Sequence, residues 1–175
     1  MKTRISKQKR RRSIRAIAAT GLLMLMIIIS SCSSQQEADS ASDTADAQAV
    51  SQGEEFVIDI DEVDENFHFY PVNVDGTDME IIAVKDSDGN IRTAFNTCQV
   101  CYDSGRGYYQ QDGDELVCQN CGNRFTAEQM GEEAGGCNPY PILSSDKTVD
   151  ESSIGISYDL LRESADIFSN WKTAY

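Results

Sequence analysis

From Glu55 onward, large apolar residues recur in short alternating runs. Phe56, Ile58 and Ile60 are spaced by polar or smaller residues, and Phe67–Val74 alternates again before the Asp75-Gly76 turn signal, so both segments predict half-buried strands. Met79–Lys85 and Ile91–Phe95 flank Asp86-Ser87-Asp88-Gly89-Asn90, which predicts a hairpin whose second strand runs directly into Cys98. Tyr108–Gln110 and Leu116–Cys118 flank Gln111-Asp112-Gly113-Asp114, a second hairpin. Thr126–Met130 predicts one helical turn, with Thr126 as N-cap and Gln129 as its capping-box partner. Near the C-terminus Ile156, Leu160, Leu161, Ala165, Phe168 and Trp171 recur at three- and four-residue steps, with Ser157 placed to cap an amphipathic helix that covers the sheet. The expected fold class is α+β, mainly β: antiparallel hairpins, a zinc-ribbon-like two-knuckle cysteine site and a C-terminal amphipathic helix.

The N-terminal region follows a different pattern. Eight Lys/Arg lie between Lys2 and Arg15 with no acidic residue among them, and Ala16–Ile29 is an apolar run of fourteen residues. That length suits a signal-peptide core and falls short of the about 20 residues of a bilayer-spanning helix. The run ends in Ile29-Ser30-Ser31-Cys32, which resembles the lipobox of bacterial lipoproteins, where cleavage leaves a thiol-lipidated Cys as the new N-terminus. The competing reading is an uncleaved transmembrane anchor, and both readings place the remainder outside the cytoplasm. From Ser33 to Glu54 the residues are mostly Ser, Ala, Gln, Asp, Glu and Thr, with Val50 the one large aliphatic, too little apolar surface to fold. The expected organisation is a lipoprotein-type signal peptide over 1–31, the lipidated Cys32 with a disordered acidic tether over 32–54, and a folded unit over 55–175. The last is long enough for one core. The chain is expected at the outer face of the cell membrane, held by the lipid on Cys32.

Export changes the meaning of the charge. The chain has 15 Lys/Arg against 29 Asp/Glu; with the eight basic residues of the leader removed, 7 face 29 and the net charge is −22. Nucleic acid is not expected as a partner, because binding it requires neutralising phosphates. An anionic lipid surface is disfavoured for the same reason.

The candidate chemistry lies in the thiols. Cys98-Gln99-Val100-Cys101 and Cys118-Gln119-Asn120-Cys121 stand sixteen residues apart, and a fifth thiol follows in Gly135-Gly136-Cys137-Asn138-Pro139-Tyr140-Pro141. Each pair is short enough for one turn to aim two sulfurs at a common point, and the spacer is about one hairpin long. Four converging thiolates suit zinc, a single iron or an iron-sulfur cluster. Disulfides are the rival in an oxidising compartment, but with Cys32 lipidated five thiols remain and one would stay unpaired. Cys137 is the fifth thiol: it could replace one of the four, ligate a second metal atom or cap the site. His68, the only histidine, would share a strand face with Tyr70 and is a minor ligand candidate beside the default of a structural histidine. No general base, nucleophile constellation or phosphate loop accompanies these residues, so a hydrolase is not expected and no catalytic residue is assigned.

Four stretches taken together resemble the membrane iron-sulfur-containing FtrD-like family: Arg92–Tyr102, Gly107-Tyr108, Val117–Phe125 and Gly135–Pro139. The resemblance spans about Phe67 to Ile142, and its specificity lies in the combination of three Cys motifs. It implies that Cys98, Cys101, Cys118, Cys121 and Cys137 are the family's thiols, with an iron-sulfur cluster or iron as cofactor and zinc as the alternative. It further implies association with bacterial iron uptake, beside an iron permease or an ABC-type permease. Many relatives carry this domain after several membrane spans, whereas this chain has one short apolar segment. Three functions stand open: an exported lipid-anchored metal-binding protein supporting iron transport by electron transfer, a structural zinc-ribbon module of a transporter complex, and a thiol-disulfide oxidoreductase.

Overall fold

The structure is a computed structural model that describes residues 46–131 and 136–174. The leader, Cys32 and the first part of the expected tether lie outside the described residues. Among the described residues no helix is long and apolar enough to cross a membrane. Strands predominate: β1 (Gln48–Ala49), β2 (Glu55–Asp59), β3 (His68–Val74), β4 (Thr77–Lys85), β5 (Ile91–Cys98), β6 (Tyr109–Asp112), β7 (Glu115–Cys118), β8 (Arg124–Phe125), β9 (Pro139–Pro141), β10 (Thr148–Val149) and β11 (Ser153–Ser157). One short helix, α1 (Tyr158–Glu163), follows β11 directly.

The strands form a five-stranded sheet in the order β1-β3-β4-β5-β9 and two three-stranded sheets, β10-β11-β2 and β6-β7-β8. Apart from the parallel β1–β3 pair, every pairing is antiparallel. The run Met79–Val84 is buried throughout because β4 is central and covered on both faces. Met79, Ile81 and Ala83 pack against Phe56, Ile58, Ile154, Ile156, Leu161 and Phe168, so the β10-β11-β2 sheet and the C-terminal segment close that face. Ile82 and Val84 pack on the opposite face with Ala94, Tyr109, Leu116, Phe125, Met130 and three of the thiols. Each fully buried Ile or Leu of these layers contributes about 1.5–3 kcal/mol over its exposed state.

The hairpins fall where the alternation places them. Asp86 closes the β4–β5 turn by accepting from the amides of Asp88 and Asn90 at 3.0 and 2.7 Å and from Arg92 Nε at 2.8 Å. Ala127–Gln129 is the expected single turn, a 3-10 helix, with Gln129 Oε1 accepting from the Thr126 amide at 3.0 Å.

Two expectations change. The tether was expected to reach residue 54, but β1 pairs with the outer edge of β3, the Val50 amide donates to Asn73 O at 3.0 Å, and Val50 is 4 % exposed. A single aliphatic residue suffices there because the sheet edge supplies the hydrogen bonds. The expected C-terminal helix is likewise shorter. Ile154 and Ile156 alternate within β11, α1 spans six residues, and Ala165–Phe168 is a 3-10 turn. Ser157 does cap α1, accepting from the Leu160 amide at 3.3 Å. Three- and four-residue steps between short elements merged into one apparent period, although Leu161 and Phe168 do point inward.

Candidate metal centre

The first thiol pair grows out of the large sheet. Side chains alternate along β5, so Ala94, Asn96 and Cys98 share the face that looks onto the β6-β7-β8 sheet. The chain then turns tightly: the Cys98 amide donates to Gly107 O at 2.6 Å, the Cys101 amide to Cys98 Sγ at 3.3 Å and the Ser104 amide to Cys101 O at 3.0 Å. Gly107 is required by this approach, since a Cβ there would stand 2.3 Å from Cys101 O. The second pair leaves the hairpin. Cys118 ends β7 opposite Tyr109, its amide donates to Asn123 O at 2.9 Å, and Gly122, at φ +75°, returns its own amide to Cys118 O at 2.9 Å.

Cys137 arrives from a third direction. It precedes β9, which pairs with β5 so that Pro139 lies opposite Cys98. Its carbonyl accepts the Tyr109 phenol O–H at 2.6 Å, and the Gln99 amide donates to Asn138 O at 3.3 Å. The Cys137 Sγ lies 2.8 Å from that of Cys121, 3.2 Å from that of Cys98 and 3.8 Å from that of Cys101. The sulfurs of Cys98, Cys101, Cys118 and Cys137 all fall within 4.8 Å of one another. Cys98, Cys101 and Cys118 are buried, Cys137 is half-buried and Cys121 is exposed.

Charge is shared unevenly among these sulfurs. A hydrogen bond from the Cys118 thiol, opposed by burial and aided by Tyr109 and Cys137, holds Cys98 down at about 4. The same bond pushes Cys118 well up, with burial adding to it. Burial pushes Cys101 and Cys137 up. At Cys121 burial opposes ionisation, but hydrogen bonds from Cys137 and from the Asn123 amide bring it below its ordinary value. The thiols therefore stabilise one another by sharing protons, and full ionisation of the set calls for a cation. A tetrahedral thiolate centre with bonds of about 2.3 Å sets its sulfurs about 3.8 Å apart. The 4.8 Å spread of the four sulfurs accommodates one such ion.

All five thiols expected from the sequence are thus brought together, and Cys137 stands at the middle of the group, not at its edge. The structure does not bring His68 to them. It lies opposite Ala83, and its Nε2 pairs with Asp64 Oδ1 at 2.8 Å on the other side of the sheet from the thiols. Strand alternation explains this, since Phe67 and Phe69 take the thiol face and leave His68 and Tyr70 the opposite one.

A buried polar network behind the centre escaped the sequence reading. Asn96 Oδ1 accepts from the Tyr109 amide at 2.7 Å, while its Nδ2 donates to Glu80 Oε2 at 2.5 Å and to Tyr109 O at 3.2 Å. Glu80 also accepts from Lys172 Nζ at 3.1 Å, and Trp171 Nε1 donates to Asn96 O at 2.7 Å. The visible signal was a polar residue inside an otherwise apolar strand: Glu80 within Met79–Val84, and Asn96 two residues before Cys98.

Among protein families, the model for membrane iron-sulfur containing FtrD-like proteins matches residues 63–168. No curated protein and no solved structure matches the chain.

Proposed function

This chain belongs to the membrane iron-sulfur containing FtrD-like family, and from that premise we propose that it is an exported, lipid-anchored iron–thiolate protein that carries single electrons in support of iron transport. One observation carries the reading: four cysteine sulfurs within 4.8 Å of one another, three of them buried, on a chain with a lipobox-like leader. Iron held in such a set, alone or as a sulfide-bridged cluster, supplies one reversible electron.

The chain's own residues make the rest of the case. Cys98, Cys101, Cys118, Cys137 and Cys121 are the sulfurs within reach. The Cys101 amide donates to Cys98 Sγ, and such a donor favours the more negative state of the sulfur. Tyr109, Leu116, Phe125 and Met130 pack around the thiols and keep water from the buried three. Cys121 leaves one edge open to a partner. The lipid on Cys32 would hold the chain at the membrane, beside an iron permease or ABC-type permease, where an electron can reduce Fe³⁺ or be taken from Fe²⁺.

A structural zinc site is the second reading, favoured by a sulfur spacing that suits a single ion. The thiol-disulfide oxidoreductase reading is disfavoured because three of the four paired thiols are buried, and neither Cys-x-x-Cys pair has both sulfurs accessible to a substrate disulfide.

The test is anaerobic purification of the full chain from membranes in detergent, followed by iron, zinc and sulfide analysis and a visible spectrum. A coloured protein that bleaches and recovers on reduction and reoxidation is expected. Colourless protein with stoichiometric zinc overturns electron transfer. Replacement of Cys32 by Ser is expected to release the chain from the membrane fraction, and retention there overturns the anchor.

A further inference from the structure

Five thiols meet at a centre whose tetrahedral form needs four. Spacing along the chain points to the two Cys-x-x-Cys pairs, yet the four sulfurs that lie mutually within 4.8 Å are those of Cys98, Cys101, Cys118 and Cys137. The two sets differ by one exchange, Cys137 for Cys121. These two sulfurs stand 2.8 Å apart, and they are the two that are not buried.

Their supports differ as well. Cys137 is tied from both sides of the site: its carbonyl to the Tyr109 phenol, and the residues after it to β5 through β9. Cys121 sits on the turn of the second knuckle, exposed, with Gly122 at φ +75° next to it. A four-coordinate ion placed among the three buried thiols has Cys137 as its fixed fourth partner, and Cys121 stands outside at hydrogen-bonding distance.

We propose that Cys98, Cys101, Cys118 and Cys137 hold the resident ion and that Cys121 is a fifth, exchangeable thiol through which a thiophilic ion enters and leaves. In the exchange one bond from the ion to the Cys121 sulfur forms as the bond to Cys137 breaks, and the proton of the Cys121 thiol passes to the Cys137 sulfur. No electron moves. The pair thus gives a four-thiolate site an associative route to solvent that does not require the three buried sulfurs to be uncovered. This inference rests on the metal-centre reading but not on which ion is bound.

The experiment uses the full chain in detergent, reduced and loaded with Zn²⁺ under anaerobic conditions. Brief alkylation with iodoacetamide and peptide mass mapping are expected to find Cys121 modified at least tenfold faster than each of the other four thiols. Cys121→Ser is expected to keep one Zn²⁺ per chain and to release it to a chelator about tenfold more slowly than wild type. Cys137→Ser is expected to bind Zn²⁺ at least tenfold more weakly. The alkylation map needs no variant, so it stands even where Cys137→Ser fails to fold. Loss of zinc from Cys121→Ser with retention by Cys137→Ser, preferential alkylation of Cys137, protection of all five thiols, or unchanged release from Cys121→Ser each overturns the proposal. A wild-type chain that binds no ion overturns the metal reading itself, and a binding wild type with any of those four results overturns this assignment alone.

Discussion

Replacing Asn96 by Ala removes the hub that ties the thiol face of the large sheet to the β6-β7-β8 sheet. Three side-chain hydrogen bonds are lost: the Tyr109 amide loses its acceptor at 2.7 Å, Glu80 Oε2 its amide donor at 2.5 Å and Tyr109 O its donor at 3.2 Å. Tyr109 is 1 % exposed and Glu80 8 %, so water does not readily replace Asn96. An unsatisfied buried amide costs about 1–3 kcal/mol, and a lost hydrogen bond to a charged group about 1.5–3 kcal/mol. Because Glu80 keeps Lys172, the expected destabilisation is about 3–5 kcal/mol. At a urea dependence of about 2 kcal/mol per molar, the midpoint falls by about 2 M. Trp171 donates to the Asn96 backbone carbonyl, a contact that the substitution spares, so indole fluorescence remains a valid probe of unfolding. Asn96→Asp gives the sign test. It sets a second carboxylate against that of Glu80, and the buried pair shares a proton, which raises its pKa in the folded state. A raised folded pKa means stability that is present below the unfolded carboxylate value and lost as pH rises through the folded one. Asn96→Asp is therefore expected to lie nearest wild type at about pH 4 and below, and to fall progressively away from it as pH rises towards about 8. A loss below about 1 kcal/mol in Asn96→Ala, or a pH-independent Asn96→Asp, refutes the role given to this network.

Gly107→Ala is expected to cost about 2–3 kcal/mol and to lower metal occupancy, because its Cβ would press on backbone and not on a flexible side chain; equal metal content and an unchanged urea midpoint would count against the knuckle geometry. At Asp86, burial raises the carboxyl but hydrogen bonds from Asn90 and Arg92 prevail and hold it at about 2. Its contribution is present above its unfolded value of 3.8 and is lost as pH falls through about 2. Thermal melts should therefore separate wild type from Asp86→Ala at pH 7 and bring the two together near pH 2; a constant gap contradicts this. His68→Ala is expected to leave the bound metal per chain unchanged by elemental analysis, and a fall in that number would return His68 to the ligand set.

The strands and turns could be read from the sequence because their signals are local. Alternation over five to eight residues and the turns at Asp75-Gly76, Asp86–Asn90 and Asp112–Asp114 need no knowledge of distant partners. The two failures involve partners. Gln48–Val50 carries too little apolar surface to announce a strand, and it is ordered by the open edge of β3. In the C-terminal segment, Ile156 packs as a strand residue beside β2 and Leu161 as a helix residue, so spacing alone could not separate the two periods.

The thiol pairs were legible for the same local reason, since a Cys-x-x-Cys turn aims its own two sulfurs. The position of Cys137 was not, because it depends on the pairing of β9 with β5, between segments some forty residues apart. One signal was present: Pro139 and Pro141 lack amide donors, which confines their segment to a sheet edge, and β9 is the edge strand beside β5. The strand that ends in Cys98 therefore serves both as the start of the first knuckle and as the rail that delivers Cys137. Asn96, two residues earlier on the same face, fastens this strand to Tyr109, whose phenol holds the Cys137 carbonyl. Three of the five thiols, Cys98, Cys118 and Cys137, are thus fixed directly by sheet pairing or by residues that sheet pairing fixes. Mounting on strands holds these three sulfurs in a set arrangement before any ion binds. Of the other two, Cys101 is buried and its amide donates to Cys98 Sγ, so Cys121 is the thiol left at the solvent edge without such a tie to the sheets.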